Sequence, residues 1–225
     1  MKETVRWGLT ALCIAVLIQG CTPTAIDDLS QALSAKPRIV AFVGVNIIPM
    51  TDPSVLPNQS VLVRDGLIVE VGPAADVAIP DNAFVVAGNG GFLLPGLADM
   101  HVHVTSKADL VLFAAHGVTT VQNMWGYRGF PRWIGFPDQK ALRDQIRDGT
   151  LFGPTIVTSG PILEGSPSNH PFMMELETAE ARGEALEQVE QGYDFLKVYD
   201  HLSPAAYQAI IGVGRETNVP VRGHV

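Results

Sequence analysis

The chain has 225 residues, 47% of them hydrophobic, and a formal net charge of −8. That is enough apolar material for one sizeable core and a smaller satellite domain. No Lys/Arg cluster is dense enough to follow a phosphate backbone, which argues against nucleic acid as a partner.

Lys2 and Arg6 lie ahead of an uncharged apolar run from Trp7 to Ile18. At about a dozen residues the run is too short to span a bilayer comfortably and suits an export signal. It ends in Leu17-Ile18-Gln19-Gly20-Cys21, which resembles the lipobox of bacterial lipoproteins. The resemblance implies a signal peptide over 1–20, a diacylglycerol on the Cys21 thiol, and an envelope protein held to the membrane by that lipid. An ordinary secretory signal with an incidental Cys is the alternative. Cys13 falls inside the signal, so no thiol pair is left for a disulfide scaffold. Residues 21–37 are small and polar and read as a tether.

From Arg38 the pattern changes to short strands. Ile39–Val43 is one, and Ser60–Arg64 with Leu67–Gly72 reads as a hairpin about Asp65-Gly66. Ala83–Ala87 is another, leaving through the turn Gly88-Asn89-Gly90-Gly91, which lacks the βαβ context of a dinucleotide loop. Residues 38–90 therefore read as part of a small β-sandwich.

Residues 91–225 alternate strands with helices. Strands are expected at Leu97–Val104, Val118–Asn123, Thr155–Ser159, Phe195–Tyr199 and Pro220–Val225. Between them fall helices at about Ser106–His116, Asp138–Arg147, Thr178–Gln191 and from Ser203-Pro204 to Glu216, with Ser203 as N-cap. Gly160–Glu177 reads as a long loop. Repeating β-then-α units argue an α/β fold with a parallel sheet. Without a phosphate loop they fit the first five strands of a TIM-type (β/α)8 barrel, which needs roughly 250 residues when complete.

The chemistry gathers at the strand ends. His101 and His103 stand two residues apart on one strand, so both imidazoles face one side and can serve as paired ligands to zinc or a similar ion. A strand that merely happens to carry two inward histidines is the bland alternative. Lys197, flanked by Leu196 and Val198, is costly to bury unless its charge is removed or paired, and an ion pair within the barrel would also answer that. His224 ends the fifth strand.

Gly91-Phe92-Leu93-Leu94-Pro95-Gly96-Leu97-Ala98-Asp99-Met100-His101-Val102-His103 resembles the first barrel strand of the amidohydrolase superfamily. The order His-x-His, Lys, His on successive strands strengthens the likeness. Phe195–Tyr207 looks most like the imidazolonepropionase-like and Xaa-Pro dipeptidase branch. The resemblance implies a metal-dependent hydrolase acting on amide C–N bonds of small molecules or dipeptides. It implies His101, His103, Lys197 and His224 as ligands to divalent ions, most simply two zincs bridged by a carboxylated Lys197. It further implies a His after a sixth strand and a proton-shuttling Asp after an eighth, both beyond Val225. On that reading this chain is an N-terminal portion that is inactive alone. A cyclic amidase or deaminase of the same superfamily and a non-catalytic metal-binding lipoprotein are the rival readings.

Three other histidines were weighed on position. His116 precedes Gly117 at a helix end, where the last carbonyls are its natural partners. His170 and Tyr199 are candidate substrate contacts, although His170 equally suits a surface position. His201 reads as structural or surface, and the acidic run Glu175–Glu190 as a solvated helix face.

Overall fold

The computed structural model describes residues 38–126, 137–168 and 174–224. The chain divides into two compact units, one spanning residues 35–96 and one holding everything from Leu97 onward.

In the first unit, β1 (Ile39–Ile47) runs antiparallel to β2 (Leu56–Arg64), which turns back into β3 (Leu67–Pro73). The turn residues Asp65 and Gly66 have φ of 49° and 83°. Two successive positive φ angles make the type I′ hairpin turn, whose twist matches that of the flanking strands. β4 (Phe84–Ala87) and β5 (Phe92–Leu93) both pair with β1 in parallel. Ala41, Leu62 and Val77 are buried against this sheet, with Ile39, Val43, Ile79 and Ala83 packed around them. Edge strand β3 leaves Leu67, Ile68, Val69 and Val71 exposed. Where a small β-sandwich was expected, the described strands of this unit form one five-stranded sheet.

The second unit runs β6 (Leu97–Val102), α1 (Lys107–Ala115), β7 (Val118–Asn123), α2 (Gln139–Arg147), β8 (Thr155–Thr158), β9 (Leu163–Gly165) and β10 (Met174–Leu176). It continues through α3 (Ala181–Glu190), β11 (Leu196–Val198), α4 (Pro204–Thr217) and β12 (Val221–Gly223). Strands β6, β7 and β8 lie side by side in parallel. A parallel bridge from Ser159 to Phe195 carries the pairing on to β11, which pairs in parallel with β12. Strands β6, β7, β8, β11 and β12 thus follow chain order, while β9 and β10 extend from β11 in the order β10-β9-β11-β12.

Three helix starts fall where the sequence put them, while α3, expected from Thr178, begins at Ala181 with no side-chain cap. Ser106 and Asp109 form a reciprocal capping box, Asp138 accepts from the amides of Lys140 and Ala141, and Ser203 accepts from Ala206 ahead of Pro204. Such caps are worth about 1 kcal/mol each. Asn218 closes α4 in the left-handed conformation at φ 57°.

One expectation is corrected. The stretch Gly160–Glu177 is not a plain loop, because β9 and β10 form within it, parallel to each other, with β9 against β11. Strands of three residues show too little alternation to be read, and buried pairing at Leu163 decides the outcome instead.

Two apolar clusters seal the helix side of these strands. Val102, Val104, Leu110, Val121, Leu142 and Ile156 belong to one, and Leu163, Leu196, Val198, Ile210 and Val213 to the other. Burying a leucine as fully as Leu110, which is 0% exposed, contributes about 1.5–3 kcal/mol. Leu196 and Val198 of β11 and Val102 of β6 are committed to this packing, and their neighbours Lys197 and His101 are left for the opposite face. Among the described residues no helix is long and apolar enough to cross a membrane.

Candidate active site

The ends of the parallel strands converge on a pocket of about 280 Å³ lined by His101, His103, Trp125, Ile162, Lys197, Tyr199 and His224. His101 lies near the end of β6 and His103 just past it. Both are exposed on the pocket side, while Val102 and Val104 between and after them are buried on the helix side. Lys197 is the middle residue of β11, Tyr199 follows that strand, and His224 follows β12.

The four expected ligand positions and Tyr199 are therefore brought together. His170, the other candidate substrate contact, and Cys21 lie outside the described residues. His116 is away from the pocket. Its Nδ1 lies 2.8 Å from the Leu112 carbonyl, the helix-end role expected of it. His201 is an exposed residue at φ 61° in the turn after β11.

The imidazoles of His101 and His103 have ring centres 5.6 Å apart, and that of His224 lies 6.3 Å from His101. Two imidazoles that share a tetrahedral ion at about 2.0–2.1 Å hold their ring centres roughly 5 Å apart. The His101–His103 pair meets that spacing closely, and His224 stands about 1 Å wider. Among the described residues no three His, Cys, Asp or Glu side chains are already drawn to one point. The set is a close imidazole pair with a third imidazole and a lysine beside it.

Lys197 supplies the second observation. Only 1% of it is exposed, and among the described residues its Nζ has no hydrogen-bond partner. The nearest ring, that of Tyr199, is centred 5.5 Å away. Burial pushes the Lys197 amine below its ordinary range, and the charge of Asp200 only partly opposes it. His103 is lowered by partial desolvation, then by His101 and Lys197. Desolvation and Lys197 also lower His224, against the pull of Asp200. Neutral nitrogen donors with lone pairs free are what a borderline divalent ion requires, so the donor chemistry fits such an ion.

Sequence reasoning missed two walls of the pocket. Trp125, past the end of β7, meets the His103 ring edge-on at 5.9 Å, and Ile162 enters ahead of β9. A large aromatic just after the second strand of a β/α series was the available signal for Trp125. Glu164, fully buried on β9, also escaped notice; it accepts a hydrogen bond from the Ser168 hydroxyl.

No family model matches the chain. An adenine deaminase from Paracoccus denitrificans is 31% identical over 140 residues, covering 57% of this chain and 22% of that protein. An imidazolonepropionase from Idiomarina loihiensis is 35% identical over 81 residues, 33% of this chain and 20% of its own. The crystal structure of a prolidase candidate from Bifidobacterium longum shares the fold with a TM-score of 0.71 at 25% identity, over 84% of this chain and 50% of that one. This chain thus spans about a fifth of the length of those curated relatives and half of that structure. The two differently named relatives and the solved fold meet in one superfamily, the amidohydrolases, and it is members of that superfamily that this chain is similar to.

Proposed function

We propose that the protein is a metal-dependent hydrolase of amide C–N bonds in small molecules or dipeptides. In this reading the parallel strands are the opening arc of a (β/α)8 barrel, and Cys21 carries a lipid that holds the protein to the bacterial envelope. The observation that carries the reading is Lys197, a buried amine with no partner for Nζ among the described residues, beside a close pair of imidazoles. Relatives named for deamination, and a structural neighbour named as a prolidase candidate, support C–N hydrolysis as the reaction class.

His101, His103 and His224 would hold a divalent ion, zinc being well matched to imidazole donors. When bound, the ion supplies Lewis-acid polarisation of a carbonyl and a water of lowered pKa. Burial lowers the Lys197 pKa and so favours the neutral amine, whose Nζ lone pair would attack carbon dioxide. A C–N bond forms, one proton leaves to solvent, and the resulting carbamate offers anionic oxygens where a bare amine offered one nitrogen. That would answer both the unpartnered amine and the scarcity of negative charge in the pocket. Trp125 and Ile162 supply an apolar wall beside the proposed ligands, and Tyr199, its ring centred 4.2 Å from that of His224, would meet the substrate. A volume of about 280 Å³ sits at the small end of ligand pockets, which favours a small amide or dipeptide over a polymer. No carboxylate lines the pocket among the described residues, and the resemblance assigns the proton shuttle to an Asp after an eighth strand.

The match to an adenine deaminase favours a second reading, a deaminase with one ion and an unmodified lysine. Full-length protein assayed with dipeptides and with purines, alongside metal content per chain, separates the two. Dipeptide or amide hydrolysis that is lost on chelation and restored by zinc is expected. Hydrolysis that survives complete removal of metal would overturn the proposal.

A further inference from the structure

The chain leaves strand β6 at Val102, just before His103, and both backbone groups of Val104 are held by buried amide side chains. The Val104 N–H donates to Asn123 Oδ1 at 2.8 Å, and Gln139 Nε2 donates to the Val104 carbonyl at 3.1 Å. Asn123 is 0% exposed and Gln139 is 1% exposed. Asn123 ends β7 and Gln139 opens α2, so two separate elements grip one peptide.

Asn123 does more than hold Val104. Its Nδ2 donates to the Trp125 carbonyl at 2.8 Å and to Thr158 Oγ1 at 3.0 Å. Its backbone carbonyl accepts from the Ser159 amide at 3.1 Å. One side chain thereby ties together the ends of β6, β7 and β8, the level at which His103 and Trp125 enter the pocket.

A buried amide is costly unless satisfied, and Asn123 is satisfied at both its oxygen and its nitrogen by groups from the ends of β6, β7 and β8. We infer that Asn123, seconded by Gln139, is a positioning residue that fixes His103 and Trp125 relative to each other and so sets the metal affinity of the pocket. This rests on the proposed metal-dependent function, and it concerns how the first ligand pair is held. The physical argument is that of a supporting shell: a ligand kept within a fraction of an ångström of its working position needs no ordering when the ion arrives. Removing Asn123 would free the Val104 amide and let the backbone after His103 relax, while leaving both imidazoles chemically intact.

The test uses full-length protein stripped of metal, with zinc affinity measured by competition against a chromophoric chelator and folding followed by thermal melts. Asn123→Ala is compared with Val213→Ala, a core truncation in the other apolar cluster that lowers stability without touching the tie. Asn123→Ala is expected to weaken zinc binding about 10–100-fold, and Val213→Ala to leave it within about threefold of the parent. The cobalt-substituted Asn123→Ala protein should also show an altered visible spectrum, which a loss of stability alone would not produce. If Asn123→Ala fails to fold, Gln139→Leu decides. It frees the Val104 carbonyl while leaving Asn123 in place, and should cost about fivefold or more in zinc affinity. Parent-like zinc binding by a folded Asn123→Ala, or by Gln139→Leu where that variant decides, would overturn the positioning role and leave the hydrolase reading standing. A parent protein that takes up no zinc would overturn both.

Discussion

His101, near the end of strand β6, and His103, just past it, enter one pocket with ring centres 5.6 Å apart. Val102, between them, is turned into the core on the other face. The strand's twofold side-chain alternation does the geometric work, since it delivers two imidazoles to the pocket for one backbone path. Lys197 repeats the arrangement on β11, where Leu196 and Val198 pack outward and the amine faces the histidines.

Exchanging His101 or His103 for alanine should therefore separate metal binding from folding. Each side chain is exposed and adds little to the core, so the melting temperature of the metal-free protein should change by no more than about 0.5 kcal/mol implies. Zinc affinity should fall by more than the roughly 10–100-fold that loss of a supporting residue costs. Chelator competition beside a thermal melt reads both, and unchanged zinc uptake in His103→Ala would remove that residue from the ligand set.

The sequence carried much of this arrangement because the signals were local. Ser106, Asp138 and Ser203 announce helix starts through their own side chains, and each caps as expected. Asp65-Gly66 announces its turn in the same way. His101, His103, Lys197 and His224 could be placed because strand alternation and strand ends fix which way they face. What stayed hidden depends on partners far along the chain. Strand β9 exists because Leu163 pairs beside Val198, a relation no three-residue window contains. Asn123 looked like an ordinary polar strand terminus, and its role appears only when Val104, Trp125 and Thr158 are brought to it.

Glycines give a prediction with opposite signs. A Cβ on Gly165 would lie 1.8 Å from the backbone carbonyl oxygen of His201, which no side-chain rotation relieves. Gly183, inside α3, would meet nothing within 4 Å. Gly165→Ala should destabilise by more than about 3 kcal/mol. Gly183→Ala should stabilise by about 0.5–1 kcal/mol through helix propensity, raising the melting temperature by about 1–4 °C. Thermal melts of the two variants decide it, and a Gly165→Ala protein as stable as the parent would mean that β9 does not press against the turn after β11 as described.

The proposed membrane attachment rests on the apolar run Trp7–Ile18 and the Gly20-Cys21 that follows it. Thioether attachment needs the Cys21 sulfur, and serine or alanine cannot replace it. Expressed from the full gene, Cys21→Ala should move from the membrane to the soluble fraction, while the parent labels with a fatty-acid probe. If the variant remains as membrane-bound as the parent, some other feature holds the protein there.

Lys197 offers the sharpest test of the chemistry. Free lysine titrates near pH 10.4, and removing its water disfavours the ammonium form. Here burial lowers the amine and Asp200 only partly restores it, so the nucleophilic form is accessible at lower pH than for an exposed lysine. A carbamate is anionic and hydrolyses readily unless cations hold it, which couples its survival to metal occupancy. Arginine keeps a positive charge at that position and cannot form a carbamate, so Lys197→Arg should lose bound metal and nearly all turnover. Lys197→Ala should lose them as well, yet recover part of each when a short carboxylic acid fills the vacated space and supplies the missing oxygens. Metal content and turnover, measured with and without added bicarbonate during expression, give the answer. Should Lys197→Arg retain the parent's metal content and turnover, Lys197 is a structural residue and its proposed carbamate plays no part.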